Sequence, residues 1–416
     1  MKTRFFFSAL LTCLITVSAN AATNIGEMFS QGSGSAEIRT MFFERDYDGS
    51  KQDLGEQAIG GIFHYKTAPL YGISLGVGFY TSNNINSDDD KGGYDLLQNS
   101  SSESHKSLTK LGEYFIQGEW ADTKIKYGAQ EVDTPFVNGF DTRMLPKTYK
   151  GLSVVNNTVP NLEASLYYLT DTLDRTDTEF TDIASSFNNN MDDNPLYAAG
   201  LMYTWNAAEG VKVVPQAWYY TIEDGFGFTY SAVELSSKFS KVSLSLKPSY
   251  LIQKAIGDKD GGDLDTHQYG AVGTAKYGDA SLSLYYAKTG DDALSTPWGH
   301  SKILVQQVLS SQRAEETAYG VKLGYDFSKL GAKGLKFAIF YADYDTPDSG
   351  DNAGYDAKEL DYDLTYKLPF KALKGLALRF RYADINTDGT HKSVDYTDKR
   401  VYATYSFEFG ASSTPK

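Results

Sequence analysis

Apolar and polar side chains alternate along most of this chain, in segments of about ten residues divided by turns. A period of two is the mark of a strand whose two faces meet different surroundings. About 18 such segments can be read. They fall near 35–47, 56–66, 70–82, 108–121, 123–132, 150–156, 161–173, 196–206 and 210–222, then near 228–239, 241–254, 264–276, 279–289, 315–327, 334–345, 356–368, 375–386 and 398–409. A length near ten suits a strand tilted across a bilayer.

Charge decides which face is which. In Leu376–Tyr382, Leu376, Leu378, Phe380 and Tyr382 share one side, while Ala377, Arg379 and Arg381 share the other. A charged side chain turned to lipid near the midplane costs about 2–4 kcal/mol, so Arg379 and Arg381 must face inward. On the last segment Val401, Ala403, Tyr405, Phe407 and Phe409 then face out, and Arg400, Tyr402, Thr404, Ser406 and Glu408 face in. The same test puts Lys322, Lys336, Asp361, Asp363 and Lys367 inside. In the first segment it puts Arg39, Met41 and Phe43 inside, with Ile38, Thr40 and Phe42 outside. Closing a barrel sets the last strand beside the first, which gathers the inward basic residues on one wall.

The connections follow a second rhythm. Alternate ones are short (Thr67-Ala68-Pro69, Ala121-Asp122, Ser240, Tyr277-Gly278-Asp279), and most of the others are long and polar (83–107, 133–149, 173–195, 289–314, 345–356). Short turns at one end and long loops at the other characterise outer-membrane barrels. The pattern therefore predicts one all-β domain, a transmembrane antiparallel β-barrel of about 18 strands. It has long extracellular loops, short periplasmic turns and both termini on the periplasmic side.

Composition agrees. Mean hydropathy is −0.39 although 14% of residues are aromatic, as expected when the lumen is polar and only the outer band is apolar. No apolar run long enough for a transmembrane helix follows the first residues. Met1–Ala21 reads as a cleaved signal peptide, with Lys2 and Arg4 ahead of an apolar stretch and Ala19-Asn20-Ala21 closing it. The domain is then 22–416. The sole cysteine, Cys13, lies inside that signal, so disulfides and thiolate metal sites are excluded. A lipidated Cys13 would shorten the apolar stretch to under about ten residues, so cleavage before Ala22 is expected. Without the signal, 37 basic residues face 53 acidic ones, a net charge of −16. That balance argues against a nucleic-acid partner.

One long break in the alternation, 133–149, is richer in apolar side chains than a solvated loop should be. A solvated disordered loop would lack its Phe136, Phe140, Met144 and Leu145, so it is expected to fold onto the inner wall, as the third loop. Asp133, Phe136, Phe140, Asp141, Arg143 and Tyr149 are then expected at a constriction, the carboxylates opposing the basic wall. Within this stretch Asp141-Thr142-Arg143-Met144-Leu145-Pro146-Lys147-Thr148-Tyr149-Lys150-Gly151 resembles the D-x-R-L-L-P-x-T-x-x-G signature of the OprD family of substrate-specific outer-membrane porins. Ile38–Tyr47 is similar to that family's first strand and Leu378–Tyr382 to its penultimate one. The resemblance implies an 18-stranded barrel, an inward third loop and a basic ladder guiding carboxylate-bearing solutes such as amino acids or organic acids. Arg39, Arg143, Arg379, Arg381 and Arg400 match ladder-type positions, and Lys322 and Lys336 join them by facing inward. The chain departs from the pattern in offering one arginine, Arg400, on its last strand.

Other constellations weigh less. His64, His105, His267, His300 and His391 show no metal-ligand or catalytic spacing, so no enzyme activity and no cofactor are expected. Asp88-Asp89-Asp90, Asp258/Asp260 and Asp345–Asp351 lack the spacing of a dedicated Ca²⁺ loop, which leaves solvated loops as the expectation. Trp298–Arg313 has helical spacing and is expected to form a short amphipathic lid or cap. The expected partners are outer-membrane lipid and lipopolysaccharide, small solutes and the barrel-assembly machinery, with a monomer or a homotrimer equally suited. A non-specific cation-preferring porin and a surface adhesin or receptor are the alternatives.

Overall fold

The computed structural model of the chain describes residues 21–98, 104–191, 193–299, 301–389 and 393–410. Among these, eighteen antiparallel strands close into one barrel. The first nine are β1 (Ser33–Tyr47), β2 (Leu54–Lys66), β3 (Ile73–Asn84), β4 (Leu108–Trp120), β5 (Thr123–Gln130), β6 (Thr148–Asn156), β7 (Leu162–Leu173), β8 (Leu196–Tyr203, resumed at Trp205–Ala208) and β9 (Val211–Ile222). The others are β10 (Phe226–Phe239), β11 (Val242–Ala255), β12 (Asp265–Tyr277), β13 (Ala280–Thr289), β14 (Thr317–Asp326), β15 (Leu335–Asp345), β16 (Asp356–Lys367), β17 (Leu376–Asp388) and β18 (Tyr396–Gly410). A two-residue strand at Thr181–Asp182 adds to the upper end of β7. The ring closes where β18 pairs with β1, from Ser33 opposite Gly410 to Tyr47 opposite Tyr396. That seam removes the free edge a flat sheet would expose.

The faces follow the charge argument. Ile38, Phe42, Leu378, Phe380, Val401, Phe407 and Phe409 are exposed on the outside, where lipid covers them. Arg39, Met41, Phe43, Asp361 and Arg400 are buried on the inside. The short turns are sharp because the backbone crosses into the left-handed region at Ala121 and Asp122, and again at Ser240. Two successive left-handed residues make the hairpin turn whose twist matches paired strands. A short helix α1 (Ile25–Ser30), capped by the Asn24 side chain accepting the Glu27 N–H at 2.9 Å, precedes β1 on the turn side. Met1–Asn20, which holds nearly all of the expected signal peptide, lies outside the described residues, as do His300 and His391.

Three patches of buried apolar side chains lie inside the barrel, and long loops supply part of each. Leu96 and Leu97 of 85–107 pack with Met41, Phe43, Ala58 and Tyr80 of β1–β3. Val132, Phe136 and Val137 pack with Tyr220, Phe228 and Tyr230 of β9–β10, and Trp298 joins them. Ile303 and Leu304 pack against Ala318, Phe340 and Ala342 of β14–β15. The loops therefore enter the lumen. An inner wall with apolar arcs is the one dry surface available to them.

Candidate functional site

The segment 131–147 leaves β5 and returns into β6. Its entry is tied by a tight turn, in which the Thr134 hydroxyl accepts the Val137 N–H at 3.0 Å and Pro135 fixes φ between them. Phe136 then meets Phe228, Tyr230 and Tyr220 edge-on, with ring centroids 5.0, 5.2 and 6.1 Å away. At the other end Met144 and Leu145 pack with Met41 and Phe43 of β1. In a ring of eighteen, β1 and β10 stand nine strands apart. One loop anchored on both must cross the lumen.

A second inward segment, 290–316, braces it. The Asn138 N–H donates to the Trp298 carbonyl at 2.9 Å, and Lys147 Nζ donates to the Pro297 carbonyl at 2.9 Å. Trp298–Arg313 was expected to be helical, and this is corrected: its described residues form an extended reversal with a bridge between Val305 and Ser310. Its tip runs along the adjoining wall as far as β16 and β18. Gln307 donates from its side chain to Asp398 Oδ1 at 2.7 Å and from its backbone to Asp361 at 3.0 Å, while Glu359 accepts from Val308 and Leu309. Buried backbone donors need such partners, and they replace the hydrogen bonds a helix would have supplied.

The basic residues gather on β1, β17, β18 and the crossing loop, interleaved with acids that come in part from β16. Arg379 grips Asp363 with two nitrogens, its Nε at 3.0 Å from Oδ1, and Arg381 lies 3.4 Å from the same carboxylate. One acid thus serves two arginines. Arg400 is fully buried and pairs with Asp398 at 2.6 Å. Arg39 donates to Asp141 at 2.6 Å and to Glu37 at 2.5 Å, and its other contact is the Arg143 carbonyl. Arg143 is 4.3 Å above the Tyr94 ring and donates to the Thr142 carbonyl at 3.1 Å. No carboxylate lies within ion-pair reach of it among the described residues. Burial, with Arg400 and Arg175 nearby, pushes the Arg143 guanidinium down to about 10, so it stays charged at neutral pH. Lys322 faces inward 5.5 Å from the Phe340 ring, again with no carboxylate in reach among the described residues.

A scan against family models matches residues 27–409 to the OprD family of outer-membrane porins. The chain belongs to that family. No curated protein matches it. Among solved structures, Pseudomonas aeruginosa OpdK with vanillate superposes with a TM-score of 0.81 at 19% identity, covering 92% of this chain and all of that one. OccK9 (OpdG) of the same organism gives 0.81 at 21%, with the same coverage of each chain. Acinetobacter baumannii OccAB3 gives 0.80 at 21%, also over 92% of this chain and all of the other. The likeness to these structures carries the fold, and family and fold together place this porin in the Gram-negative outer membrane.

Against this frame several expected site residues move. Asp141 does not oppose the basic wall across the solute path; it is paired with Arg39 on that wall. Tyr149 does not line the path either, since it is completely buried behind the loop. Lys336 stands at the turn end, well exposed and 3.2 Å from Asp326. Phe140 is only half-buried, under the Arg175 guanidinium at 5.2 Å, whereas Phe136 is buried and Asp133 is exposed. Sequence reasoning missed Arg45, which pairs with Asp398 at 2.7 Å, and Tyr94, which stacks on Phe43 at 4.0 Å. Arg45 shares the parity of Arg39 and was open to the same test. Tyr94 sits in an irregular loop and carried no signal.

Proposed function

We propose that this porin passes small carboxylate-bearing solutes, such as amino acids or organic acids, through a lumen narrowed by 131–147 and 290–316. The observation that carries the reading is incomplete neutralisation. Asp363 is shared by Arg379 and Arg381, and neither Arg143 nor Lys322 has a carboxylate in reach among the described residues. A wall that leaves some of its basic groups without an ion-pair partner, reached past a crossing loop, offers a carboxylate weak and exchangeable sites. Conduction needs sites of that kind. OpdK in complex with vanillate, an aromatic carboxylate, lends support.

A cation-preferring channel is the second reading, favoured by a recess of about 660 Å³ lined by Glu37, Asp141 and Glu408. Single-channel recording in a planar bilayer separates the two. A small carboxylate should interrupt the current while its uncharged amide does not. Equal behaviour of acid and amide, together with cation selectivity, would favour the second reading.

A further inference from the structure

We propose that His64, Glu113 and Glu131 form a site for one divalent transition-metal ion, represented by Zn²⁺, in the lumenal wall at the root of the crossing loop. The three come from β2, β4 and the residue after β5. Each offers one donor atom, and the three atoms lie within 4.8 Å of one another. Tetrahedral zinc holds donors about 3.3 Å apart, so small side-chain rotations would close the set.

The arrangement is built by specific features of the chain. Strand β4 carries a bulge: Gly78 faces Glu113 while Phe79 faces Leu111, which leaves Gly112 as the extra residue. Without it Glu113 would share the outward parity of Leu111; the bulge turns the carboxylate inward. Gly78 provides the room, since a Cβ there would stand 3.1 Å from both Glu113 Oε2 and His64 Cδ2. The carboxylates are oriented from behind. Glu131 N–H donates to Glu113 Oε1 at 2.9 Å, and the Tyr80 hydroxyl donates to Glu131 Oε1 at 3.0 Å. Partners of this outer kind are what hold metal ligands in place.

His64 Nε2 is buried and makes no hydrogen bond, although it lies 3.2 Å from Glu113 Oε2. Lys126, the basic residue of β5 near this wall, is taken up by the Phe115 ring at 4.3 Å and makes no ion pair here among the described residues. An imidazole with two carboxylates suits zinc and its neighbours, whereas Ca²⁺ takes six to eight oxygens. His64 also lines the acidic recess described above, which gives an ion an aqueous route. Bound there, the ion would fix Glu131 at the loop root and add positive charge to the acidic side of the lumen.

The test uses the full-length, tag-free barrel in detergent, stripped with chelator and titrated with ZnCl₂ at neutral pH by calorimetry. One Zn²⁺ per barrel is expected, undisturbed by excess Mg²⁺. His64→Ala and Glu131→Gln should each weaken it by at least about tenfold, a loss usual even for an outer-shell partner. A heat-shifted gel band checks that each variant is folded. Absence of binding, or binding that both folded variants retain undiminished, overturns the site. Binding is read directly, so the outcome is independent of which solutes the channel passes.

Discussion

The Tyr149 hydroxyl lies 2.8 Å from the backbone carbonyl of Trp298, though 149 residues separate them in the chain. The same hydroxyl is 2.9 Å from the Asn138 carbonyl, so one buried group holds the root of 131–147 and the descending arm of 290–316 together. The two inward loops are therefore mechanically one body.

Removing that hydroxyl should loosen the body without unfolding the barrel. Tyr149→Phe forfeits a buried hydrogen bond worth about 1 kcal/mol net, while the ring still fills its place. We expect an unchanged heat-shifted gel band and more frequent brief current fluctuations in single-channel traces. Traces as quiet as those of the unaltered protein would show that the hydroxyl does not fasten the loops.

Gly151 should tolerate no side chain. Its φ is +149°, and a Cβ there would stand 2.0 Å from the Tyr168 carbonyl oxygen. The backbone conformation alone costs a non-glycine residue about 1–3 kcal/mol, and the clash falls on backbone that cannot swing aside. Gly151→Ala should cut the yield of folded barrel, read from the heat-shifted band. Normal yield would mean that β6 and β7 can part there at little cost.

The barrel was legible in the sequence because the bilayer imposes one rule on every strand. Arg379 and Arg381 had to face in, and the parity of each neighbour followed. The inward third loop was legible for a related reason: Phe136, Met144 and Leu145 need a dry surface, and the inner wall is where one exists. What the sequence did not show was partnership. Alternation reports which way Arg39 points, not that Asp141 will fold back 102 residues later in the chain to meet it. The tip of 290–316 misled for another reason. Its apolar residues are spaced like a helix, yet Glu359, Asp361 and Asp398 supply from the wall the partners that its backbone and Gln307 use.

Charge neutralisation around Asp363 gives a signed test of the wall. Arg379→Gln with Arg381→Gln removes two positive charges and should lower the anion-to-cation permeability ratio, read from the reversal potential in a salt gradient. Asp363→Asn should move the same ratio the opposite way. Both should fold, because a polar lumen accommodates amides. A reversal potential unmoved by either change would make these side chains structural.

The mature chain should begin at Ala22. The Ala22 N–H donates to the Pro69 carbonyl at 2.9 Å and the residue is almost fully buried, so the new terminus would be tied to the first short turn. Intact-mass measurement of protein extracted from outer membranes checks this. A lipid-modified Cys13 would contradict it.

Single-channel recording of a barrel lacking residues 136–144 tests the central claim most directly. That deletion removes Phe136 from β9–β10 and Met144 from β1, so the crossing loop no longer bridges those walls and only 290–316 still narrows the lumen. Conductance should rise several-fold, and a small carboxylate should no longer interrupt the current more than its amide. Unchanged conductance with discrimination intact would show that the crossing loop is not the constriction.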